Sequence, residues 1–214
     1  MIRNILFDFD GTLADTAPGI LATEVATFTK MGLPVPSEEA MRSGIGLPLG
    51  ESLRKAGNLP DELIDEAVTT YRALFPIYEV GNVSVFPGVQ QTLDELQARG
   101  IRMAIATSRG SNSLGVFLER FDMAKFFEDK VTATDKLPAK PAPDIVLTLL
   151  SRMGISKEET LVVGDTTFDI GMGASAGCRT CAVTWGNHSA EMLQTASPTY
   201  MIDDISKILD LVSE

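Results

Sequence analysis

Acidic side chains occur in two short motifs that lie far apart in the chain. Residues 8–12 read DFDGT and residues 164–169 read GDTTFD, and each motif follows an apolar run. Carboxylates crowded together repel one another unless a hard divalent cation neutralises them, and Mg²⁺ takes oxygen ligands of this kind. A carboxylate beside a phosphate can attack phosphorus, and a second carboxylate can donate a proton to the leaving group and then activate water. The motifs therefore indicate metal-assisted phosphoryl transfer.

Other polar residues suit the binding of a phosphate. Thr107 and Ser108 follow one apolar run, and Lys140 stands ahead of a helical pattern. Hydroxyl and ammonium groups suit an anion with several oxygens. Gly11 allows a turn to present backbone N–H groups to the same anion. Asp8 and Asp10 would point the same way if the strand continued through them, because strand side chains alternate.

The acidic and phosphate-binding residues can form one site only if the fold brings them to the same edge of a sheet. The apolar pattern predicts such a sheet. Nearly continuous apolar runs, typical of strands covered on both faces, occur at 5–7, 102–106, 130–132, 160–163 and 180–183. Amphipathic helical patterns separate the last four, at 88–99, 111–121, 143–153 and 167–176. This alternation predicts an α/β fold with a Rossmann-like, doubly wound parallel sheet. Ligands bind at the carboxyl ends of such strands, where the acids and phosphate-binding residues stand.

The strand pattern is interrupted after the first acidic motif. Helical patterns at 17–31, 37–43, 49–56 and 60–78 fill the gap. We therefore predict an α/β core of residues 1–14 and 83–214, with a small all-helical cap of residues 15–82 inserted after strand one. In the cap, Gly46 lies in a loop that could approach the site closely. Arg42 beside it could meet a substrate carboxylate or second phosphate, or could simply be solvated.

Composition excludes several classes of function. The 214 residues include 18 Lys and Arg against 29 Asp and Glu, a net charge of −11, which opposes binding to nucleic acid or a membrane surface. No apolar run approaches the roughly 18–20 residues of a transmembrane helix, and the N-terminus turns acidic too early for a signal peptide. We expect a cytoplasmic protein, a monomer or a homodimer, whose partner is a small phosphorylated metabolite.

The remaining reactive side chains are assigned structural roles. Cys178 and Cys181 form a C-x-x-C pair, but there is no second cysteine pair to complete a zinc site. The pair leads into a predicted strand, which favours core packing. His188, the only histidine, is predicted to be a surface loop residue.

The motifs together resemble the haloacid dehalogenase-like superfamily in its phosphatase branch, and most closely the phosphoglycolate phosphatase-like subgroup. That pattern has D-x-D-G-T after strand one, Thr or Ser after strand two, Lys ahead of a helix and G-D-x-x-x-D after strand four. Here the matching residues are 8–12, Thr107, Lys140 and 164–169. The resemblance covers nearly the whole chain, including the inserted cap and the return to the core at 86–89.

The resemblance implies roles for the matching residues. Asp8 is the expected nucleophile and a Mg²⁺ ligand. Asp10 is the expected general acid and base, with its backbone carbonyl on the metal. Asp165 is the third protein ligand, and Asp169 supports the metal's water shell or Lys140. The phosphoryl oxygens are expected to bind Thr107, the Ser108 N–H, Lys140 and the turn at Gly11. Arg109 stands where relatives often have Lys, a difference that we interpret as minor.

Several activities remain open. The dehalogenases and the phosphonate-cleaving relatives lack the second acid of the first motif, so Asp10 opposes both. A sugar phosphomutase of the β-phosphoglucomutase type keeps both acids, and an inorganic pyrophosphatase is a further alternative. A receiver-like phosphorylation switch also places acids and Mg²⁺ on an α/β edge, but it has no cap. We predict a Mg²⁺-dependent phosphatase that forms an aspartyl phosphate, and the substrate is open among phosphoglycolate, pyrophosphate, phosphosugars and nucleotides.

Overall fold

The computed structural model of the protein describes residues 1–78 and 81–212, and a parallel sheet of six strands forms its centre. Numbered along the chain, the strands are β1 (Asn4–Phe7), β2 (Ala14–Asp15), β3 (Ser84–Val85), β4 (Arg102–Ala106), β5 (Asp129–Val131), β6 (Thr160–Gly164), β7 (Arg179–Val183) and β8 (Tyr200–Ile202). The strand order in the large sheet is β5-β4-β1-β6-β7-β8, and a separate two-stranded sheet pairs β2 with β3.

Helices cover both faces of the large sheet. Along β1, Ile5 and Phe7 pack with residues of the helices at 89–98 and 111–120, whereas Leu6 packs on the other face with residues of the helices at 144–153 and 167–175. This alternation of buried side chains is what a strand with two covered faces requires. The helices are α1 (Ala17–Lys30), α2 (Glu38–Arg42), α3 (Leu49–Gly57), α4 (Asp61–Tyr78), α5 (Val89–Ala98), α6 (Ser111–Arg120), α7 (Asp144–Met153), α8 (Thr167–Ser175), α9 (Ala190–Thr195) and α10 (Ile208–Leu211).

The predicted fold class is confirmed, and each predicted strand is present within one residue of its expected bounds. The sequence analysis missed the edge strand β8, which pairs with β7 from Cys181 to Val183. It also missed α9 and α10. These elements have three, six and four residues, too few for a periodic pattern to stand out. Among the described residues, no helix has both the length and the apolar character needed to cross a bilayer.

Helices α1 to α4 form the helical insertion, which has a small core of its own. Phe28, Leu53, Leu59, Ala67 and Tyr71 are buried together there. The insertion is joined to the sheet through the antiparallel pair β2–β3, in which Ala14 pairs with Val85 and Asp15 with Ser84. The predicted end of the insertion includes Glu79 and Val80, which lie outside the described residues, as do Ser213 and Glu214.

The insertion buries one carboxylate that has a single partner. Glu24 of α1 is fully buried, its Oε1 accepts a hydrogen bond from Ser52 Oγ at 3.3 Å, and its Oε2 has no partner among the described residues. Burial raises the pKa of Glu24 from 4.5 to about 7, and the Ser52 hydrogen bond offsets part of that rise. Ionised Glu24 therefore destabilises the native insertion.

We expect Glu24→Gln to stabilise the protein at pH 8 and to have no effect at pH 4. Because the pKa is higher in the native state, the native state holds an extra proton between pH 4.5 and about 7, so stability falls as pH rises through this range. The glutamine variant lacks this loss, and its free energy of unfolding at pH 8 should exceed that of the wild type by roughly 3 kcal/mol at most. Urea unfolding at both pH values measures the difference. The exposed Glu62→Gln is the control, and an equal effect of the two substitutions would contradict the argument.

Candidate active site

Asp8 and Asp10 lie at the carboxyl end of the central strand, but they do not lie on one continuous strand. β1 ends at Phe7, and the Asp8 N–H still donates to the Val163 carbonyl at 2.9 Å. A tight turn follows, in which Gly11 has φ of 77° and its N–H donates to the Ala14 carbonyl at 2.8 Å. The condition for both side chains to point the same way is therefore not met. Asp8 contacts Lys140, and Asp10 contacts Arg109.

Lys140 bridges two carboxylates in the interior. Its Nζ donates to Asp8 Oδ1 at 2.8 Å and to Asp169 Oδ1 at 2.6 Å, and all three side chains are at most 3% exposed. Burial opposes the charge on the amine, but the carboxylates of Asp169 and Asp8 outweigh it and raise the pKa of Lys140. The lysine is therefore a permanent cation between a residue of the first motif and a residue of the last.

Asp169 also begins a helix. Thr166 is the N-cap of α8, its hydroxyl accepts from the Asp169 N–H at 3.3 Å, and Asp169 Oδ2 accepts from the Thr166 N–H at 3.0 Å. This reciprocal pair is a capping box, which satisfies two backbone donors at the helix start. Since the other carboxylate oxygen accepts from Lys140, Asp169 fixes the lysine relative to α8.

Asp165 is held from two loops. Its Oδ1 accepts from the Thr12 hydroxyl at 3.1 Å, and its Oδ2 accepts from Asn187 N at 2.7 Å and Nδ2 at 2.8 Å. Burial and the nearby Asp169 raise the pKa of Asp165 to about 7, although these donors favour the ionised form. A Cβ at Gly11 or at Gly186 would overlap the Asp165 side chain, so only glycine allows the two loops to approach it.

The carboxylates of the first and last motifs form a cluster suited to a metal ion. One oxygen from each of Asp8, Asp165 and Asp169 lies within 4.8 Å of the others, and all three residues are buried. Burial raises the pKa of Asp8, and the neighbouring carboxylates add to this rise although Lys140 opposes it. Lys140 supplies one positive charge to three carboxylates. Such a set of oxygen donors with excess negative charge fits a hard divalent cation.

Asp10 forms a second ion pair nearby. Arg109 Nε donates to its Oδ1 at 3.0 Å and to its Oδ2 at 3.1 Å, and the side chains are 5% and 13% exposed, respectively. Arg109, which the sequence analysis interprets as a minor difference from relatives, contacts a predicted catalytic carboxylate directly. The contact joins residues 99 positions apart in sequence, and the spacing of the motifs gave no sign of it.

The predicted phosphate-binding residues lie at the same edge of the sheet. Thr107 is buried, and its hydroxyl oxygen accepts from the Arg109 N–H at 3.1 Å, which leaves its proton available to donate. The Ser108 hydroxyl donates to the Gly46 carbonyl at 2.8 Å, so it connects this edge to the helical insertion. The N–H of Gly11 is engaged within its own turn. The backbone N–H groups of Phe9 and Asp10 meet no acceptor in the described part of the chain.

The two predicted residues of the insertion differ in position. Gly46 has φ of 96°, and a Cβ there would lie 3.2 Å from Thr166 Cγ2, so its loop lies against the last motif. Arg42 instead pairs with Glu38 on its own helix, with Nε 2.8 Å from Oε1 and 41% of its side chain exposed. A contact of Arg42 with substrate stays a prediction.

The loop after β7 supplies residues that the sequence analysis missed. Asn187 binds Asp165, and the prediction of His188 as a surface residue is wrong. His188 is 4% exposed, its Nδ1 accepts from the Thr167 N–H at 3.1 Å, and its ring packs edge-on against Phe168. Burial lowers the pKa of His188, so the ring is neutral. The position of this loop after a strand was the only available signal. Cys178 and Cys181 are free and buried, as predicted.

Comparison with known proteins identifies the family. The family model for haloacid dehalogenase-like hydrolases matches residues 5–183. The chain belongs to this family. It is 36% identical to the pyrophosphatase PpaX of Oceanobacillus iheyensis over 214 residues, covering 100% of this chain and 98% of the relative. It is 32% identical to the phosphoglycolate phosphatase of Escherichia coli (strain K12) over 231 residues, covering 97% and 91%.

Solved structures agree with this assignment. A haloacid dehalogenase-like family hydrolase from Streptococcus pneumoniae superposes with a TM-score of 0.86 at 26% identity, over 98% of each chain. Together with the family match and the phosphatase relatives, this likeness shows that the present chain is a phosphatase.

Proposed function

We propose that this phosphatase hydrolyses a small phosphomonoester with Mg²⁺, through an aspartyl phosphate on Asp8. The observation that supports this best is Lys140 Nζ, which lies 2.8 Å from Asp8 and 2.6 Å from Asp169 beside the buried Asp165. A nucleophile, a cation for phosphoryl oxygens and a set of metal ligands are thereby gathered at the end of the central strand, where ligands bind in open α/β sheets.

The reaction has two steps. Asp8 Oδ1 accepts from Lys140, and no donor in the described residues binds Oδ2, so Oδ2 is available to attack phosphorus. The bond from phosphorus to the ester oxygen breaks, and that oxygen takes a proton from Asp10. Asp10 then takes a proton from a water molecule that attacks the aspartyl phosphate. Phosphate leaves, and the Asp8 carboxylate is restored.

The remaining residues hold the phosphoryl group and the metal. The Thr107 hydroxyl, the Ser108 N–H and Lys140 bind phosphoryl oxygens, together with the N–H groups of the turn at Gly11. The side chains of Asp8 and Asp165 and the carbonyl of Asp10 would hold Mg²⁺, which neutralises charge on the phosphoryl oxygens when bound. Asp169 fixes Lys140 and supports the metal's water shell.

We further propose that residues 15–82 act as a cap over this site. The hydrogen bond from Ser108 Oγ to the Gly46 carbonyl, 2.8 Å long, and the contact of Gly46 with Thr166 support this role. A cap that closes on the site excludes water and selects by size, which favours a small substrate. Phosphoglycolate is the first candidate. Pyrophosphate, an anhydride and not a monoester, is the alternative substrate, and the 36% identity to the pyrophosphatase PpaX over the whole chain favours it.

Phosphate release from a panel of substrates tests the proposal. The panel holds phosphoglycolate, pyrophosphate, hexose phosphates, nucleoside monophosphates and a chromogenic aryl phosphate, each with Mg²⁺ and then with EDTA. We expect release that EDTA abolishes and added Mg²⁺ restores. Because the pKa of Asp165 is about 7 without metal, protons compete with the cation below that value. The Mg²⁺ concentration for half-maximal rate should therefore be higher at pH 6 than at pH 8.

Two outcomes would count against the proposal. Release that is insensitive to EDTA would exclude the metal. No release from any member of the panel would favour a phosphomutase or a phosphorylation switch, and a stable phosphorylated protein would then distinguish the switch.

A further inference from the structure

Arg109 is a buried arginine at the junction of three elements. Its guanidinium carbon lies 5.8 Å from the ring centre of Phe9, 5.1 Å from that of Phe117 and 5.6 Å from that of Phe75. Phe9 belongs to the turn after β1, Phe117 to α6 and Phe75 to α4 of the helical insertion. Cations are attracted to aromatic ring faces, and more strongly where water is excluded. The arginine is therefore held by the sheet and by the insertion together.

The guanidinium of Arg109 donates hydrogen bonds to both oxygens of the Asp10 carboxylate. Nε lies 3.0 Å from Asp10 Oδ1 and 3.1 Å from Oδ2, and Nη1 lies 3.3 Å from the Ser113 hydroxyl. A planar guanidinium fixes the plane of a carboxylate in a way that the point charge of a lysine does not. These contacts fix the orientation of the Asp10 carboxylate, and a fixed orientation suits the second step, in which Asp10 takes a proton from water.

We propose that Arg109 is a positioning residue for hydrolysis of the aspartyl phosphate. It orients the Asp10 carboxylate toward the attacking water, and Phe75 makes this orientation depend on the insertion. The inference rests on the proposed function, in which Asp10 is the general base. It predicts that loss of Arg109 slows water attack much more than it slows formation of the aspartyl phosphate.

Pre-steady-state kinetics separate the two steps. The full-length protein with Mg²⁺ is mixed with an aryl phosphate whose leaving group departs without a proton. For Arg109→Met we expect a burst of about one aryl oxide per active site, at a rate within about threefold of the wild type. The steady-state rate should then fall about 100-fold, within the range of a general base. Acid quenching should recover phosphorylated protein. Arg109→Lys retains the positive charge but lacks the planar guanidinium that binds both carboxylate oxygens, and its steady-state rate should fall about tenfold.

Each result supports or overturns the inference. If burst and steady-state rates fall by the same factor, Arg109 is merely structural. If neither falls, it has no role. If Arg109→Met does not fold, as judged by its thermal transition, the lysine variant carries the test. Arg120→Met removes an exposed arginine at the end of α6, where it lies over the Phe121 ring, and should leave both rates unchanged. A wild type that releases no phosphate would overturn the proposed function itself.

Phe75→Leu tests the part that the insertion plays. We expect the burst to persist and the steady-state rate to fall about threefold or more, because the Arg109 guanidinium loses its contact with the Phe75 ring. Phe126→Leu removes a buried ring that does not contact Arg109 and is the matched control. An unchanged steady-state rate in Phe75→Leu would overturn the coupling to the insertion.

Discussion

Asp8→Asn is expected to abolish turnover and to leave the fold intact. An amide does not attack phosphorus, so kcat should fall at least about 10³-fold for every substrate. The Asn side chain has nearly the same shape and removes one negative charge from a cluster of three buried carboxylates. Because burial and the other carboxylates raise the pKa of Asp8, its ionised form is destabilised in the native state. The free energy of unfolding should therefore stay constant or rise.

Three measurements check this expectation. They are phosphate release, the thermal transition and the yield of acid-stable phosphorylated protein, which should drop to background. Asp61→Asn on the exposed start of α4 is the matched control and should keep full activity. Freshly prepared protein avoids conversion of Asn to Asp by deamidation. Substantial turnover in the Asp8 variant would refute the assignment of the nucleophile.

Lys140→Met is expected to reduce both activity and stability. The substitution breaks the pairs with Asp8 at 2.8 Å and Asp169 at 2.6 Å, and it leaves three buried carboxylates without their lysine. Removing one partner of a buried ion pair costs about 3–5 kcal/mol. Loss of a cation at the phosphoryl group should lower kcat at least about 10²-fold.

Added Mg²⁺ distinguishes this explanation from a general packing defect. A ligand that binds only the native state stabilises it by mass action. The uncompensated carboxylates should bind the cation more tightly, so Mg²⁺ should raise the melting temperature of Lys140→Met more than that of the wild type. The exposed Lys125→Met, which loses a surface pair with Asp122 and a contact with the Phe126 ring away from the carboxylate cluster, should keep its activity and respond to Mg²⁺ as the wild type does. An equal response to Mg²⁺ in variant and wild type would contradict the model of a cation-deficient cluster.

Much of the fold was predictable from the sequence because its central strands are long and apolar. β4 and β6 each have five residues and are covered on both faces, so their positions follow from composition alone. Ligands bind beyond the carboxyl ends of such strands, and this rule predicted that the first and last acidic motifs lie at the same edge of the sheet. The same rule placed Lys140 at this edge, since it stands in the loop that follows the predicted strand at 130–132, but its contacts with Asp8 and Asp169 were not predictable.

The supporting contacts were not predictable, because they depend on loop geometry. Asn187 reaches Asp165 across 22 residues only because the loop after β7 folds back over the sheet edge. The turn after Phe7 separates Asp8 from Asp10, and strand periodicity does not describe a turn. Arg109 resembled an ordinary substitution for lysine in the sequence, because two of its three aromatic neighbours, Phe9 and Phe75, come from distant parts of the chain.

The short pair β2–β3 has a consequence for how this architecture diversifies. Ala14 lies beside Val85, and Asp15 beside Ser84, so the chain leaves and re-enters the sheet layer at a single point. Paired strands lie about 5 Å apart, a gap that a tight turn closes. Residues 16–83 thus form an inserted segment whose two ends lie side by side. A foreign segment with adjacent termini could be grafted there without re-registering any strand of the large sheet. If residues 15–82 act as the proposed cap, exchange of this one contiguous stretch would change selectivity and keep Asp8 and Asp10 in place.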